Sequence, residues 1–287
     1  MRTLIAAAAL LLAAAGCAEA KDDGPAGDAP APRLEPLWTL DGLRSPESVL
    51  ASADGSFLYV SNVGGEGGDR DGNGYISRVS PDGRMLQAQW ASGLDAPKGM
   101  ALKDGRLYVS DITRLVVLDA ATGRVDRRID APDSGFLNDV AVLPDGRVVV
   151  ADSGKQRLYV LDGEALTPWL EDPLLRSVNG LLPEPGRLVI TTMQGRLLAM
   201  DYRTKALTTL AEGLGNGDGV ARLADGSYLV SEWPGRLFHV RADGSHSVVQ
   251  DDREAERYMN DFLLLDDVLL VPNWQPGTLS AYRLVLP

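Results

Sequence analysis

Six times along the chain a short polar turn runs into an apolar stretch, with a polar side chain at the same phase each time. The segments are Pro46-Glu47-Ser48-Val49, Pro97-Lys98-Gly99-Met100, Leu137-Asn138-Asp139-Val140, Val178-Asn179-Gly180-Leu181, Gly217-Asp218-Gly219-Val220 and Met259-Asn260-Asp261-Phe262. Their phased residues, Glu47, Lys98, Asn138, Asn179, Asp218 and Asn260, stand 51, 40, 41, 39 and 42 residues apart. A period near 40 with strand-like content belongs to radial β repeats. Six units predict an all-β chain: a six-bladed β-propeller of four-stranded antiparallel blades. The start of each innermost strand borders the central channel of such a ring, so six polar groups should converge there.

A second series keeps the same register. Thirteen to fifteen residues after each marker a strand ends on Asn62, Asp111, Asp152, Thr192, Glu232 or Asn273. Turn signals such as Asp54-Gly55, Asp104-Gly105, Asp145-Gly146 and Asp225-Gly226 separate the two series in four repeats. Asp and Gly tolerate the backbone that tight hairpins require. A hairpin returns the chain to its starting end, so both polar series are expected on one face of the disc. The first interval is longer because of residues 64–75, where Asp69, Asp71, Asn73 and Gly74 resemble the start of a calcium loop. Ser80 stands where that loop needs a ligating Glu, so a long hairpin over the top face, serving as a lid, is the expectation.

The last repeat has three strands, at about 261–265, 268–272 and 278–284, and then ends. Pro36-Leu37-Trp38-Thr39-Leu40 reads as the missing fourth strand, closing the ring and removing an unpaired edge. One propeller domain therefore spans residues 36–287. Residues 18–35, rich in Ala, Asp, Gly and Pro, read as a tether. Residues 1–17 read as a targeting segment: Arg2 precedes an apolar stretch from Leu4 to Ala15, too short to span a bilayer. Ala14-Ala15-Gly16-Cys17 resembles the lipobox of bacterial lipoproteins. It implies lipidation of Cys17 and contact with a bilayer through that anchor alone. Ala18 after the cysteine implies the outer membrane, with the domain facing the periplasm of the cell envelope.

Composition narrows the chemistry. A net charge of −12 without basic clusters disfavours nucleic acid as a partner. Cys17 is the single cysteine, leaving no disulfide and no spare thiolate. The two histidines, His239 and His246, sit on one outer hairpin outside both series, which disfavours a Ser-His-Asp triad or a histidine zinc site. Oxygen donors remain: Glu47, Asn138, Asn179 and Asp218, with Asn260 and Asp261 nearby. Carboxylates and amides of this kind suit a hard divalent cation, Ca²⁺ first, with Mg²⁺ or Mn²⁺ as alternatives.

In these motifs residues 36–287 resemble the SMP-30/gluconolactonase/LRE-like family of six-bladed propellers. The resemblance implies one divalent metal held by Glu47, by Asn179 of Asn179-Gly180-Leu181 and by Asp218 of Asp218-Gly219-Val220, with Asn138 beside it. Two features differ. Glu47 is followed by Ser48-Val49 instead of Gly-Pro, and Phe136 stands where sugar-acid lactonases carry an arginine.

Two functions follow. One is a metal-dependent hydrolase of a lactone or similar ester, a small-molecule substrate, with Asp218 as the base that deprotonates water. Asn138 and Lys98 would then bind substrate or steady its oxyanion. The other is a non-enzymatic propeller that binds a ligand or a protein partner around a structural metal; propellers host both.

Overall fold

The computed structural model describes residues 31–287. The targeting segment, Cys17 and most of the tether lie outside the described residues. Residues 31–287 form one unit, built as six four-stranded antiparallel sheets.

Each sheet is one blade, numbered here from the innermost strand outward. Blade one is β2 to β5 (Pro46–Ala51, Leu58–Asn62, Gly74–Val79, Met85–Leu94), and blade two is β6 to β9 (Pro97–Lys103, Arg106–Asp111, Arg114–Asp119, Val125–Asp130). Blade three is β10 to β13 (Leu137–Val142, Val148–Asp152, Arg157–Asp162, Ala165–Glu171). Blade four is β14 to β17 (Val178–Glu184, Arg187–Thr192, Arg196–Asp201, Leu207–Ala211). Blade five is β18 to β21 (Asn216–Arg222, Tyr228–Trp233, Arg236–Val240, His246–Asp251). Blade six takes β22 to β24 (Leu263–Leu265, Val268–Asn273, Thr278–Val285) and is completed by β1 (Arg33–Leu40).

The closing strand runs antiparallel to β24, from Arg33 opposite Val285 to Leu40 opposite Leu279. It begins three residues earlier than expected, so residues 33–35 belong to the fold and not to the tether. An outermost strand has one wet side, and Arg33 and Glu35 therefore gave no apolar signal. Leu34 packs on the Tyr282 and Leu284 cluster, while Trp38 and Leu40 pack beside Val79 and Leu279.

Second strands read as unbroken apolar runs, such as Val148-Val149-Val150-Ala151, and are buried along their length. Both faces of these strands meet a neighbouring blade, so no alternation with polar residues is needed. One apolar cluster fills each gap. Leu107 and Val109 join blades one and two, and Leu158 and Leu181 join blades three and four. Val60 and Leu270 close the circle between blades six and one. Innermost strands of successive blades consequently run side by side around the channel.

Candidate metal centre in the central channel

Every phased dipeptide sits in a bulge. In blade one Pro46 pairs with Asn62 and Val49 with Val60, so Glu47 and Ser48 fall outside the ladder. The same break occurs between Pro97 and Met100, Leu137 and Val140, Val178 and Leu181, and Gly217 and Val220. In blade six a bridge from Met259 to Asn273 precedes β22 and Asn260 N reaches Pro272 O at 3.4 Å, leaving 261–262 outside the ladder. A bulge kinks the strand and re-aims its side chains; here it turns the phased residues toward the axis.

A hydroxyl opposite each bulge repairs the lost ladder bond in three blades. Ser61 Oγ accepts from Ser48 N at 2.9 Å, Thr191 Oγ1 from Gly180 N at 2.8 Å, and Ser231 Oγ from Gly219 N at 2.8 Å. Ser110 and Thr191 also donate across blades, to the carbonyls of Asn138 and Asp218. Blades three and six carry Ala151 and Pro272 opposite the bulge, with no hydroxyl to offer. There an aspartate in the bulge takes over. Asp139 Oδ1 accepts from Val140 N and Oδ2 from Leu181 N, both at 2.7 Å. Asp261 takes Phe262 N and, through Oδ2, the Ser48 hydroxyl at 2.7 Å. Space for these aspartates comes from glycine: a Cβ on Gly99 would strike Asp139 Oδ1, and one on Gly219 would strike Asp261 Oδ1.

Glu47, Asn138, Asn179 and Asp218 line one narrow gap together with Gly99, Gly180, Asp139 and Asp261, too tight to admit a water-sized sphere. No organic molecule fits there, and only a bare ion is small enough to enter. Asp139 and Asp261 also border a second cavity of about 330 Å³, further along the inner strands, walled by Val49, Met100, Leu181 and Phe262.

Four carboxylates thus crowd a buried space near one ammonium, Lys98. Burial first, then the Asp218 charge, push Glu47 well above the ordinary carboxylate range against the pull of Lys98. Burial and the Asp261 charge push Asp218 up to about 8, with the Asn179 amide acting the other way. Burial pushes Asp261 up to about 6, opposed by the Ser48 hydroxyl, and burial with Asp261 raises Asp139. Desolvation and like charge both penalise the ionised forms. Glu47 Oε2 is buried without a hydrogen-bond partner.

That orphaned oxygen is the test of whether these residues suit a cation, and they do. An acceptor-only atom aimed into a gap shared with a second carboxylate and two amide groups is what a hard ion satisfies. Among the described residues no three His, Cys, Asp or Glu side chains gather tightly enough to chelate by themselves. The expected set needs only two carboxylates, completed by Asn138 and Asn179.

Lys98 lies beside the gap, buried, with Nζ donating to Gly67 O at 2.8 Å and Ala96 O at 3.1 Å. Its ammonium stands 4.5 Å from the Phe136 ring centre. Burial lowers its pKa, and Glu47 and Asp111 oppose that shift. The 64–73 loop therefore folds over the channel and is tied down by Lys98. Asn260 turns its amide to Pro46 O at 3.1 Å and does not line the gap.

The second polar series is structural. Asp111 accepts from the backbone of Asp95 and Ala96, and Asp152 from Gly135, Phe136 and Gly154. Asn62 accepts from Arg44 N, and Asn273 binds Thr278 and Ser280. Asn62, Asp111 and Asp152 each hold the loop that enters their blade, whereas Asn273 ties its strand to β24. His239 is buried against Ser227 Oγ at 2.9 Å, and His246 meets Phe238 edge-on, both in blade five away from the gap. Asp139 escaped the sequence reading; the repeated Asn-Asp pair three blades apart, opposite Ala151 and Pro272, was its signal.

The fold defines the chain as a six-bladed propeller with an acidic, oxygen-lined channel. A family model described as outer membrane protein assembly factor BamB (PQQ_2) matches residues 72–172. Among solved structures the chain is similar to a streptogramin B lyase, at 11% identity and a TM-score of 0.63, over 89% of this chain and 98% of that one. It is also similar to a catalytically inactive histidine variant of virginiamycin B lyase from Staphylococcus aureus with quinupristin, at 11% identity and a TM-score of 0.62, covering 89% and 99%. At such identity the likeness is one of fold. Among curated proteins, dihydroxy-acid dehydratase of Ignicoccus hospitalis is 28% identical over 203 residues, 63% of this chain. The match spans 36% of that protein's length.

Proposed function

We propose that the protein is a divalent-metal-dependent hydrolase of the SMP-30/gluconolactonase type, acting on a lactone or similar ester at the channel. The observation that carries this reading is the shared gap of Glu47, Asn138, Asn179 and Asp218, with Glu47 Oε2 left unpaired. Glu47, Asn179 and Asp218 would hold one cation, Ca²⁺ first, with Asn138 beside it. When bound, such an ion supplies Lewis acidity to a carbonyl oxygen and compensates the crowded carboxylates.

The remaining work falls to side chains. Asp218, buried in the gap, would be the base that takes a proton from water. Asn138 offers an amide donor to the substrate. Lys98 would reach the substrate once its bond to Gly67 O opens, so the 64–73 loop is the lid whose movement exposes it. Neither histidine lines the gap, and a histidine-dependent chemistry like that of the lyase relative has no support here. With Cys17 lipidated, the domain would work at the outer membrane, facing the periplasm.

The BamB-type match over 72–172 favours a second reading, a propeller that binds a protein partner around a structural ion. A screen of lactones and esters with added Ca²⁺, Mg²⁺ or Mn²⁺ separates the two. Turnover that EDTA removes and Asp218→Asn abolishes supports the hydrolase. Metal binding without turnover of any ester supports the binding propeller.

A further inference from the structure

Two positions beyond each phased polar residue the chain places Val49, Met100, Val140, Leu181, Val220 or Phe262. All six are apolar, so an apolar ring lies directly beneath the polar one in the channel. These residues wall the cavity of about 330 Å³. The 64–73 loop leaves the fold after Asn62, which pairs with Pro46 at the start of β2. The cavity runs the other way along the inner strands. Half-buried Leu102, Val142, Pro183 and Leu263 stand at its outer end, so it meets solvent on the face opposite the loop. Protein interiors rarely keep a void of this size, and water inside it would face apolar wall on most sides.

The inner end has a different chemistry. Asp139 and Asp261 border both the cavity and the narrow gap. Glu47, Asn138, Asn179 and Asp218 are buried, yet Asp139 and Asp261 keep partial exposure. The gap admits no water-sized sphere, so that exposure opens on the cavity. Asp139 accepts from Val140 N and Leu181 N, and Asp261 from Phe262 N and the Ser48 hydroxyl. A carboxylate has about four acceptor positions, so each keeps about two open. Among the described residues no Lys or Arg lines the cavity. Lys98 is engaged by Gly67 O and Ala96 O on the loop side. A ligand entering here meets acceptors without a counter-charge at one end and hydrocarbon along the walls. An ester or carboxylate would add acceptors to acceptors, and a polyol would press hydroxyls against the apolar ring. A cationic donor on an apolar body satisfies both ends.

We infer that this cavity is a second binding site, for a small primary amine that directs its ammonium to Asp139 and Asp261 and lays its hydrocarbon body along the apolar ring. The inference goes beyond the proposed function, since none of the residues proposed to hold the cation lines this cavity.

Calorimetric titration of the purified full chain in Ca²⁺ buffer at pH 7 tests it, with hexylamine, 1-hexanol, hexanoate and methylamine as probes. Hexylamine should bind saturably, one per chain, and at least ten-fold tighter than each of the other three. Asp261→Asn keeps the shape and drops the charge, and should weaken hexylamine at least five-fold. Val220→Trp fills the cavity and should weaken it at least ten-fold. Should either variant fail to fold, Asp139→Asn replaces the first and Leu263→Trp, at the half-buried open end, the second, with the same expectations. A preference below ten-fold over any probe, no saturable binding, or a hexylamine affinity unmoved by the variants overturns the site. In that event 1-hexanol or hexanoate binding as well as hexylamine would mark a plain apolar void, and methylamine doing so a bare cation site.

Discussion

The Ser48 hydroxyl donates to Asp261 Oδ2 at 2.7 Å, joining two residues 213 positions apart. It ties blade one to blade six at the channel, on the inner side of the same junction that β1 closes at the rim. Ser48→Ala removes the hydroxyl and leaves a partly buried carboxylate with one donor fewer. The expected loss is about 1–2 kcal/mol, read from urea unfolding at pH 7.

Removing the outer closure should cost more. A chain starting at Asp41 loses every ladder pair of β1 and exposes the edge of β24. Leu34, Trp38 and Leu40 lose their packing, so about 3–6 kcal/mol is expected. A chain starting at Ala31 keeps all those pairs and should unfold at the same urea concentration as the full chain.

The titration of the channel sets a pH dependence with a definite sign. Asp218 ionises near 3.8 unfolded but only at about 8 in the fold. Between those values the folded chain holds a proton that the unfolded chain releases. This contribution is complete below pH 3.8 and is lost as pH rises toward 8. Asp261 adds the same sense between 3.8 and about 6. Urea unfolding in EDTA should therefore show stability falling from pH 4.5 to 8, by up to about 1.4 kcal/mol per pH unit for each group in its window. Saturating Ca²⁺ should flatten the slope. Stability that rises with pH in EDTA would contradict the buried-carboxylate account.

The repeat was legible because a bulge has to recur at the same phase in every blade, and the phased polar residues mark it. The ring number and the closing strand followed from that period and from the strand missing after 284. The division of labour between the two polar series was not legible. Asp111 and Asp152 look like channel groups in sequence, yet they accept loop N–H groups, because a blade's entering loop needs an acceptor at that point. Asp139 was hidden for the opposite reason. Its role depends on Ala151 lacking a hydroxyl opposite the bulge, a pairing visible only once the register is known.

Localisation is tested at Cys17. Buried acyl chains contribute about 0.8 kcal/mol per CH₂, so the wild-type chain should sediment with membranes. Cys17→Ser should move it to the soluble fraction. Wild type found soluble after cell disruption would remove the anchor.

The central claim is that Glu47, Asn179 and Asp218 hold a divalent cation. Calorimetric titration of Ca²⁺ into chelator-stripped protein tests it most directly, performed at pH 7 in two buffers of different ionisation enthalpy. The account predicts one site per chain, with proton release because the cation displaces protons from Asp218 and Glu47. Glu47→Gln and Asp218→Asn should each weaken binding at least ten-fold. No heat of binding for Ca²⁺, Mg²⁺ or Mn²⁺, or binding unchanged in both variants, would contradict it.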